Sequence, residues 1–192
     1  MSGTLPQKKY EEYAYVLDFI PRGKSIVIKG REGPLVQAIG SEWLTLLEIL
    51  AMRNVNFEVG ERLCIGREGR TKVISVLGKL TYNDLTIEAK QELPNVVEKI
   101  VRENEARFVK YFNELQPITP RLHALELIPG IGKTIMRAIL DEREKKPFQS
   151  FEDIEKRVGL KDPAKLLAKR IVEEISGSPR VIIFVGSRKT FR

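Results

Sequence analysis

Short apolar segments, rich in β-branched and aromatic residues, alternate with glycine- or proline-containing segments over the first 80 residues. Apolar runs of about four to eight residues between such turn signals are typical of β-strands. The segment at 43–52 suits a strand or a short helix, and we predict a strand because turn signals flank it. Pro21-Arg22-Gly23 is predicted to be a turn. The predicted strands are 13–20, 25–28, 35–39, 43–52, 59–65 and 72–77.

Beyond residue 84 the apolar positions recur with the period of an α-helix. Leu85 and Thr86 open a short helix, and Pro94 suits the first position of a second, longer helix that ends before Pro117. Its apolar stripe consists of Val97, Ile100, Val101, Phe108, Val109, Phe112 and Leu115.

The predicted fold class is therefore α+β, with a small β-barrel followed by an all-α domain. Five or six short strands with glycine-rich turns within about 75 residues are typical of an OB-like barrel. We expect the barrel at 1–83, connecting helices at 84–118 and two tandem helical hairpins at 119–177. A late strand, the apolar run 181–185, and a basic tail complete the chain at 178–192.

A formal net charge of +7 favours polyanionic partners. Residues 1–83 contain 12 basic and 9 acidic side chains, and residues 84–118 contain 5 and 7. Residues 119–192 contain 16 and 10, so the basic excess is concentrated in the hairpin region.

Cys64 is the single cysteine and His123 the single histidine. The sequence therefore predicts neither an intramolecular disulfide nor a metal cluster built on cysteine and histidine. The N-terminus shows no signal segment, and no apolar run approaches the roughly 18 residues of a membrane span. We expect a cytoplasmic protein with no membrane contact, metal or cofactor.

The clearest chemical signal is Pro129-Gly130-Ile131-Gly132-Lys133-Thr134, which lies between two short apolar segments of helical spacing. The two glycines leave their amide groups uncovered. Lys133 and Thr134 then open a helix, where unpaired N–H groups and the helix dipole favour an anion. We predict a phosphate site here, with Arg121 and Arg137 as further contacts. The alternative is that the glycines only make a tight connection between helices.

The segment from Ile128 to Lys133 resembles the helix-hairpin-helix motif. This resemblance implies sequence-independent binding of a nucleic-acid backbone through the amides around Gly130, Gly132 and Lys133. Residues 148–154 resemble the link to a second hairpin in tandem motifs of this kind.

The second copy would lie at 158–164, followed by a helix through Ile175. Only Gly159 remains where a Gly-x-Gly is expected, so we predict a packing role for this copy. Charge is added there by Lys161, Lys165 and Lys169.

Two enzymatic interpretations fit less well. Gly132-Lys133-Thr134 matches the end of a Walker A loop, but Leu127 stands where the first glycine belongs and no strand precedes it. Helix-hairpin-helix glycosylases place a catalytic lysine just after the hairpin, where this chain has Thr134. A single cysteine excludes the iron–sulfur cluster that some of them carry. We expect no enzyme and no catalytic residues.

Basic residues in or beside the predicted turns of the barrel form a second expected binding surface. Barrels of the OB type bind single strands with basic loops and stacking aromatic residues. The alternative is that they are ordinary solvated surface. These residues are Arg22, Lys24, Arg67, Arg70 and Lys72.

The order of barrel, long helix, Ile118 to His123 and Pro129 to Lys133 resembles an archaeal-type family of unknown function. Its members join an OB-like N-terminal domain to a C-terminal helix-hairpin-helix domain, and the resemblance implies RNA binding linked to translation. We expect a non-catalytic protein that binds the phosphate backbone of RNA, or else of DNA. The alternative is an adaptor that docks on a ribosomal or polymerase subunit. Strandedness, target and oligomeric state are left open.

Overall fold

The computed structural model describes residues 10–186, which divide into two compact units. Among these residues the first unit comprises 10–96 and 184–186, and the second comprises 97–183. Strands dominate the first unit and helices the second, so the predicted α+β class is confirmed. The basic tail predicted at 187–192 lies outside the described residues.

The first unit is built on one antiparallel sheet that curls into a half-barrel. Its strands are β1 (Tyr13–Lys24), β2 (Glu32–Gly40), β3 (Leu46–Ala51), β4 (Arg62–Cys64) and β5 (Val73–Lys79). Their spatial order is β4-β1-β2-β3-β5, which makes β4 and β5 the outer strands of the described sheet. Apolar residues two apart, such as Ala14 and Val16 on β1 and Val36 and Ala38 on β2, line the buried core.

The prediction of a turn at Pro21-Arg22-Gly23 is wrong, because β1 continues through these residues to Lys24. The register of β1 against β2 shifts between Ile20 and Gly23. Such a bulge removes residues from the ladder, and a proline, which lacks an N–H group, is tolerated there.

The strand predicted at 25–28 is also wrong, because these residues form a loop. The cause is Glu48 on β3, which is only 2% exposed. Its carboxylate accepts hydrogen bonds from the Ser25 hydroxyl and from the amides of Ile26 and Val27. A buried carboxyl group needs hydrogen-bond partners, and the backbone and hydroxyl of this loop supply them.

Helix α1 (Ile87–Glu103) follows a short 3-10 turn at Tyr82–Asp84, and α2 is Glu105–Glu114. The helix break predicted at Pro94 is wrong, since Pro94 lies inside α1. The helix is interrupted instead at Asn104, whose φ of −119° and ψ of 38° lie outside the helical region. Pro94 is exposed and the neighbouring Leu93 is buried, so the apolar face of the helix continues past the proline.

The second unit continues with a two-stranded hairpin, β6 (Pro117–Thr119) and β7 (Leu122–His123). A 3-10 turn at Ala124–Leu127 stands where a short apolar helix was predicted. Three helices complete the unit: α3 (Lys133–Lys145), α4 (Phe151–Val158) and α5 (Pro163–Ser176).

The late strand predicted at 181–185 is wrong, because these residues form bends and a turn. Two buried charges on α5 bind this segment instead. The Arg170 guanidinium donates to the Val181 carbonyl at 2.7 Å, and the Glu174 carboxylate accepts from the Ile183 amide at 2.8 Å. Arg170 also contacts Glu174 at 3.2 Å, so the two charges compensate each other.

Candidate nucleic-acid interface

Residues 128–131 form a tight turn whose third position requires glycine. The Ile131 amide donates to the Ile128 carbonyl at 3.1 Å, and Gly130 has a φ of +85°. Proline at the second position and a positive φ at the third are the features of a type II β-turn. A Cβ added to Gly130 would also lie 3.2 Å from the Leu166 side chain of α5. Gly130 is therefore required both by its conformation and by its neighbour.

Gly132 precedes α3 as its N-cap residue and leaves the start of the helix open. Its backbone is extended, and it has no side chain to accept from the first amides of the helix. An added Cβ at Gly132 would meet no atom within 4 Å. Across residues 10–186 no acceptor is found for the amides of Gly130, Gly132, Lys133 and Thr134. These amides are therefore without an intramolecular acceptor, as the predicted anion site would require.

The two helices after α3 begin differently. The Ser150 hydroxyl accepts from the Asp153 amide at 3.0 Å and caps α4. The Asp162 carboxylate accepts from the Lys165 amide at 3.4 Å and caps α5. A side-chain cap occupies one of the amide donors that an anion would otherwise use. In the chain after residue 132, as far as it is described, α3 alone keeps an uncapped N-terminus.

Lys133 is held beside the turn by contacts that the sequence analysis missed. Its ammonium donates to the Arg121 carbonyl at 2.8 Å and lies 2.8 Å from the Glu126 carboxylate. Glu126 also accepts from the His123 amide at 2.8 Å. The hydrogen bond from Lys133 lowers the pKa of Glu126 below its usual value, with the His123 amide as the second cause. The signal for Glu126 in the sequence is its capping-box spacing from His123.

This ion pair changes the role expected of Lys133. Its side chain is 56% exposed, so the ammonium stays accessible from solvent. Its charge is compensated by Glu126, however, and the neutral amides of the turn have no such competitor. Between the Lys133 ammonium and these open amides, the amides are therefore the groups without a partner in the described structure.

The other residues predicted around this turn are displayed on the surface. Thr134 is exposed on the first turn of α3, and Arg137 is exposed one turn further along the helix. Arg121 is exposed in the connection between β6 and β7, and its carbonyl receives Lys133. Neither arginine is in an ion pair within the described part of the chain. The structure thus brings together the predicted residues of the second unit.

The predicted basic residues of the half-barrel do not form one surface. Arg22 and Lys24 line a groove of about 720 Å³, together with Phe19 and Arg53. Arg67 and Arg70 line a different groove of about 860 Å³. Arg53 was missed because nothing in its sequence context distinguishes it from other surface arginines.

Arg70 and Lys72 are committed to structural contacts. The Arg70 guanidinium donates to the carbonyls of Ile65, Gly66 and Ile74 over 2.8–3.1 Å. Lys72 pairs with Glu61 and donates to the Asn56 carbonyl at 3.0 Å. These contacts leave Arg22, Lys24 and Arg67 as the exposed members of the predicted set, with the Lys24 ammonium 3.7 Å from the Glu32 carboxylate.

Residues 10–186 contain no group of three histidine, cysteine, aspartate or glutamate side chains placed to hold a metal ion. In the same residues, no helix is long and apolar enough to cross a membrane.

Residues 10–186 match the model of a family described as protein of unknown function (DUF655). The uncharacterized protein MJ0038 of Methanocaldococcus jannaschii is 45% identical over 169 residues, which cover 88% of this chain and 76% of that protein. The crystal structure of Af1531 from Archaeoglobus fulgidus superposes with a TM-score of 0.79 at 43% identity. That match covers 92% of this chain and 99% of the other, so the fold is shared along nearly the whole length.

Proposed function

This chain belongs to the DUF655 family of proteins of unknown function, and we propose that it binds the phosphate backbone of nucleic acid, RNA in the first place, without catalysis. In this proposal the turn at 128–131 and α3 act as a helix-hairpin-helix motif. The half-barrel, which we take to be OB-like, provides a separate basic surface. A link to translation is part of the proposal, because the sequence resemblance implies it.

The observation that carries the proposal is the open N-terminus of α3. Unpaired amides at a helix N-terminus, reinforced by the helix dipole, form an anion site. Here Gly132 leaves them without a cap and without a side chain in front of them. Amides recognise phosphate oxygens and not base edges, so binding with weak sequence preference is expected.

Surrounding charge supports a polyanion as the ligand. Arg121 and Arg137 are exposed near the turn, and residues 119–192 carry 16 basic against 10 acidic side chains. In the first unit, the groove lined by Arg22, Lys24 and Arg53 also contains Phe19. A basic groove with an aromatic side chain suits a single strand.

The proposal has no chemical step. In the described residues at the turn, Lys133 and Glu126 are already paired with each other. Nucleophilic or acid–base catalysis would need a nucleophile beside a free base.

The sharpest test is Gly132→Asp. Aspartate is a strong N-cap residue, so it closes the helix while placing a negative charge where phosphate would bind. We expect the thermal stability to stay the same or rise slightly, and binding of a fluorescein-labelled 20-nucleotide RNA to be lost. Fluorescence anisotropy measures the affinity, and circular dichroism measures the unfolding temperature.

Ala106→Glu is the matched control, because it adds the same charge at an exposed position of α2. This control should bind the RNA nearly as well as the wild type. Equal losses in the two variants would mean that net charge matters and the turn does not. Undiminished binding by Gly132→Asp would overturn the proposed site.

A second candidate function, the protein-interaction adaptor, is favoured by the loop at 25–28. Ile26, Val27 and Ile28 are exposed by 56%, 38% and 41% although all three are apolar. The buried Glu48 fixes this loop, so its apolar tip is a stable feature of the surface. Exposed apolar groups held in place are typical of a docking surface.

A pull-down separates the two candidates. The chain is tested for association with purified ribosomal or polymerase subunits. The adaptor is supported if this association survives nuclease and high salt and is lost in the variant Ile26→Ser/Ile28→Ser. Association that nuclease removes would support binding through nucleic acid.

A further inference from the structure

The turn between α4 and α5 lies in the predicted second hairpin copy, at the place that the turn at 128–131 takes in the first copy. We compare its amides with those of that first turn. Asp162 caps α5 with its own carboxylate and has a left-handed φ of 48°. The Asp162 amide donates to the carboxylate of Glu155. Asp162 also pairs with Arg102 at 3.0 Å. Because the amides of Asp162 and Lys165 already donate to carboxylates, this turn lacks the open amides of the first one.

Helix α5 nevertheless displays a row of uncompensated charge. Lys165 and Lys169 are exposed and lie one above the other, because residues four apart share a helix face. Their positions differ by about 6 Å along the axis, at about 1.5 Å per residue. Lys161 is exposed just before the helix. Within the described residues none of the three is in an ion pair, whereas Lys156 on α4 pairs with Glu152.

This lysine row lies next to the open turn. The side chain of Leu166 contacts Gly130, since a Cβ at Gly130 would lie 3.2 Å from it. Residues three apart on a helix are neighbours at about 5–6 Å between Cβ atoms, which places Lys169 beside Leu166. Lys165 adjoins Leu166 in the chain. The row therefore lies on the helix whose Leu166 side chain packs against the first turn.

We infer that α5 is a second phosphate-binding element and that the ligand is a polynucleotide strand, not a single phosphate group or a small phosphorylated metabolite. This inference rests on the proposed function. The amides of the first turn hold one phosphate, and Lys165 and Lys169 bind phosphates further along the same strand. A ligand with one phosphate cannot offer separate phosphate groups to the amides and to each of the two lysines. A strand can, and each lysine that binds it releases counterions.

The test compares Lys165→Gln/Lys169→Gln with the control Lys110→Gln/Lys156→Gln. Both double variants remove two exposed charges from the second unit. Labelled uridine oligonucleotides of 3 and 12 residues are titrated across a salt series. We expect the wild type to bind the 12-mer much more tightly than the 3-mer.

Losing two backbone contacts to a single strand should reduce the slope of log K against log salt by about 1.4. That change corresponds to roughly 25-fold weaker binding of the 12-mer near 0.1 M salt. Binding of the 3-mer should be nearly the same in all variants. Circular dichroism checks the fold, since exposed lysine substitutions change stability little.

Three results would overturn the inference. An unchanged slope in Lys165→Gln/Lys169→Gln removes α5 from the path, and equal losses in both double variants reduce the effect to net charge. A 3-mer that binds as tightly as the 12-mer means that a short phosphate ligand suffices. In each of these cases a loss of binding in Gly132→Asp would still support the proposed function. Absence of binding by the wild type to either oligonucleotide would overturn both.

Discussion

At the scale of single residues, Glu126 and His123 organise the approach to the open turn. The Glu126 carboxylate pairs with the Lys133 ammonium and accepts a hydrogen bond from the His123 amide. The His123 ring accepts from the Leu125 amide through Nδ1 at 3.1 Å, so its proton is assigned to Nε2. That nitrogen is buried and has no partner in the described structure. The His123 ring is therefore neutral in the folded protein.

We predict that His123 makes the free energy of unfolding fall in mild acid. Burial lowers the pKa of His123, the charges of Arg143 and Lys133 lower it further, and Glu126 opposes them. Below the ordinary value near 6.5 the unfolded chain binds a proton that the folded chain excludes. Stability is therefore complete above that value and declines as the pH drops, by no more than about 1.4 kcal/mol per pH unit for this group.

Urea unfolding at pH 7.5 and pH 5.5 measures this effect, with His123→Asn as the comparison. Asparagine keeps an acceptor for the Leu125 amide but does not titrate. The wild type should lose more stability than the variant between these two pH values. Equal losses would show that carboxylates elsewhere cause the decline.

At the scale of secondary-structure elements, capping separates helices that otherwise look alike. Helices α4 and α5 begin with side chains that bind their first amides, whereas α3 begins with Gly132. Ser150 and Asp162 each accept from one first-turn amide of their helix, whereas Gly132 leaves the first amides of α3 without a side-chain acceptor. The Gly132→Asp substitution would remove this difference, because aspartate would cap α3 as well.

Helix α1 contains an element-scale weakness at Pro94, which lacks the N–H group that the helix would use there. We predict that Pro94→Ala raises the free energy of unfolding by about 2–2.6 kcal/mol. Proline costs about 3 kcal/mol relative to alanine in a helix interior. Part of that gain is offset, because proline also restricts the unfolded chain by about 0.4–1 kcal/mol.

Asn95→Ala is the control for this prediction, since Asn95 is exposed and adjacent but keeps its N–H group. It should raise stability by less than Pro94→Ala in the same urea titration. A loss of stability in Pro94→Ala would show that the proline ring makes favourable contacts.

At the scale of the whole molecule, the net charge of +7 overstates the charge available to a ligand. In the second unit Lys145, Lys156 and Arg157 are paired with nearby carboxylates. In the first unit Lys72 is paired with Glu61. In the described residues, the exposed cations outside ion pairs include Arg121 and Arg137 near the open turn, Lys165 and Lys169 on α5, and Arg22 in the groove of the first unit.

We predict a steep salt dependence of RNA binding by the whole chain. With roughly four to six phosphates neutralised, log K should fall with log salt at a slope of about −3 to −5. Anisotropy of a labelled single strand across a salt series measures the slope. A flat response would contradict backbone binding, and it would instead fit docking through the apolar loop at 25–28.

Much of the fold was predictable because it depends on local patterns. Short apolar runs between turn signals correctly predicted most of the strands, and helical spacing correctly predicted α3 and α5. Two of the errors arose where a distant residue intervened. Glu48 holds a loop at 25–28, and Arg170 with Glu174 holds the segment 181–183, where apolar composition alone predicts strands in both places.

The candidate site divides in the same way. The sequence by itself determined that Gly130 sits in a turn, that Lys133 and Thr134 begin a helix, and that basic residues are concentrated in this half of the chain. Only the tertiary structure decided that the first turn is open, that the second is closed by Asp162 and Glu155, and that Lys133 is paired. Local conformation follows from backbone preferences of neighbouring residues. Hydrogen-bond partners and exposure depend on which distant side chains folding brings together.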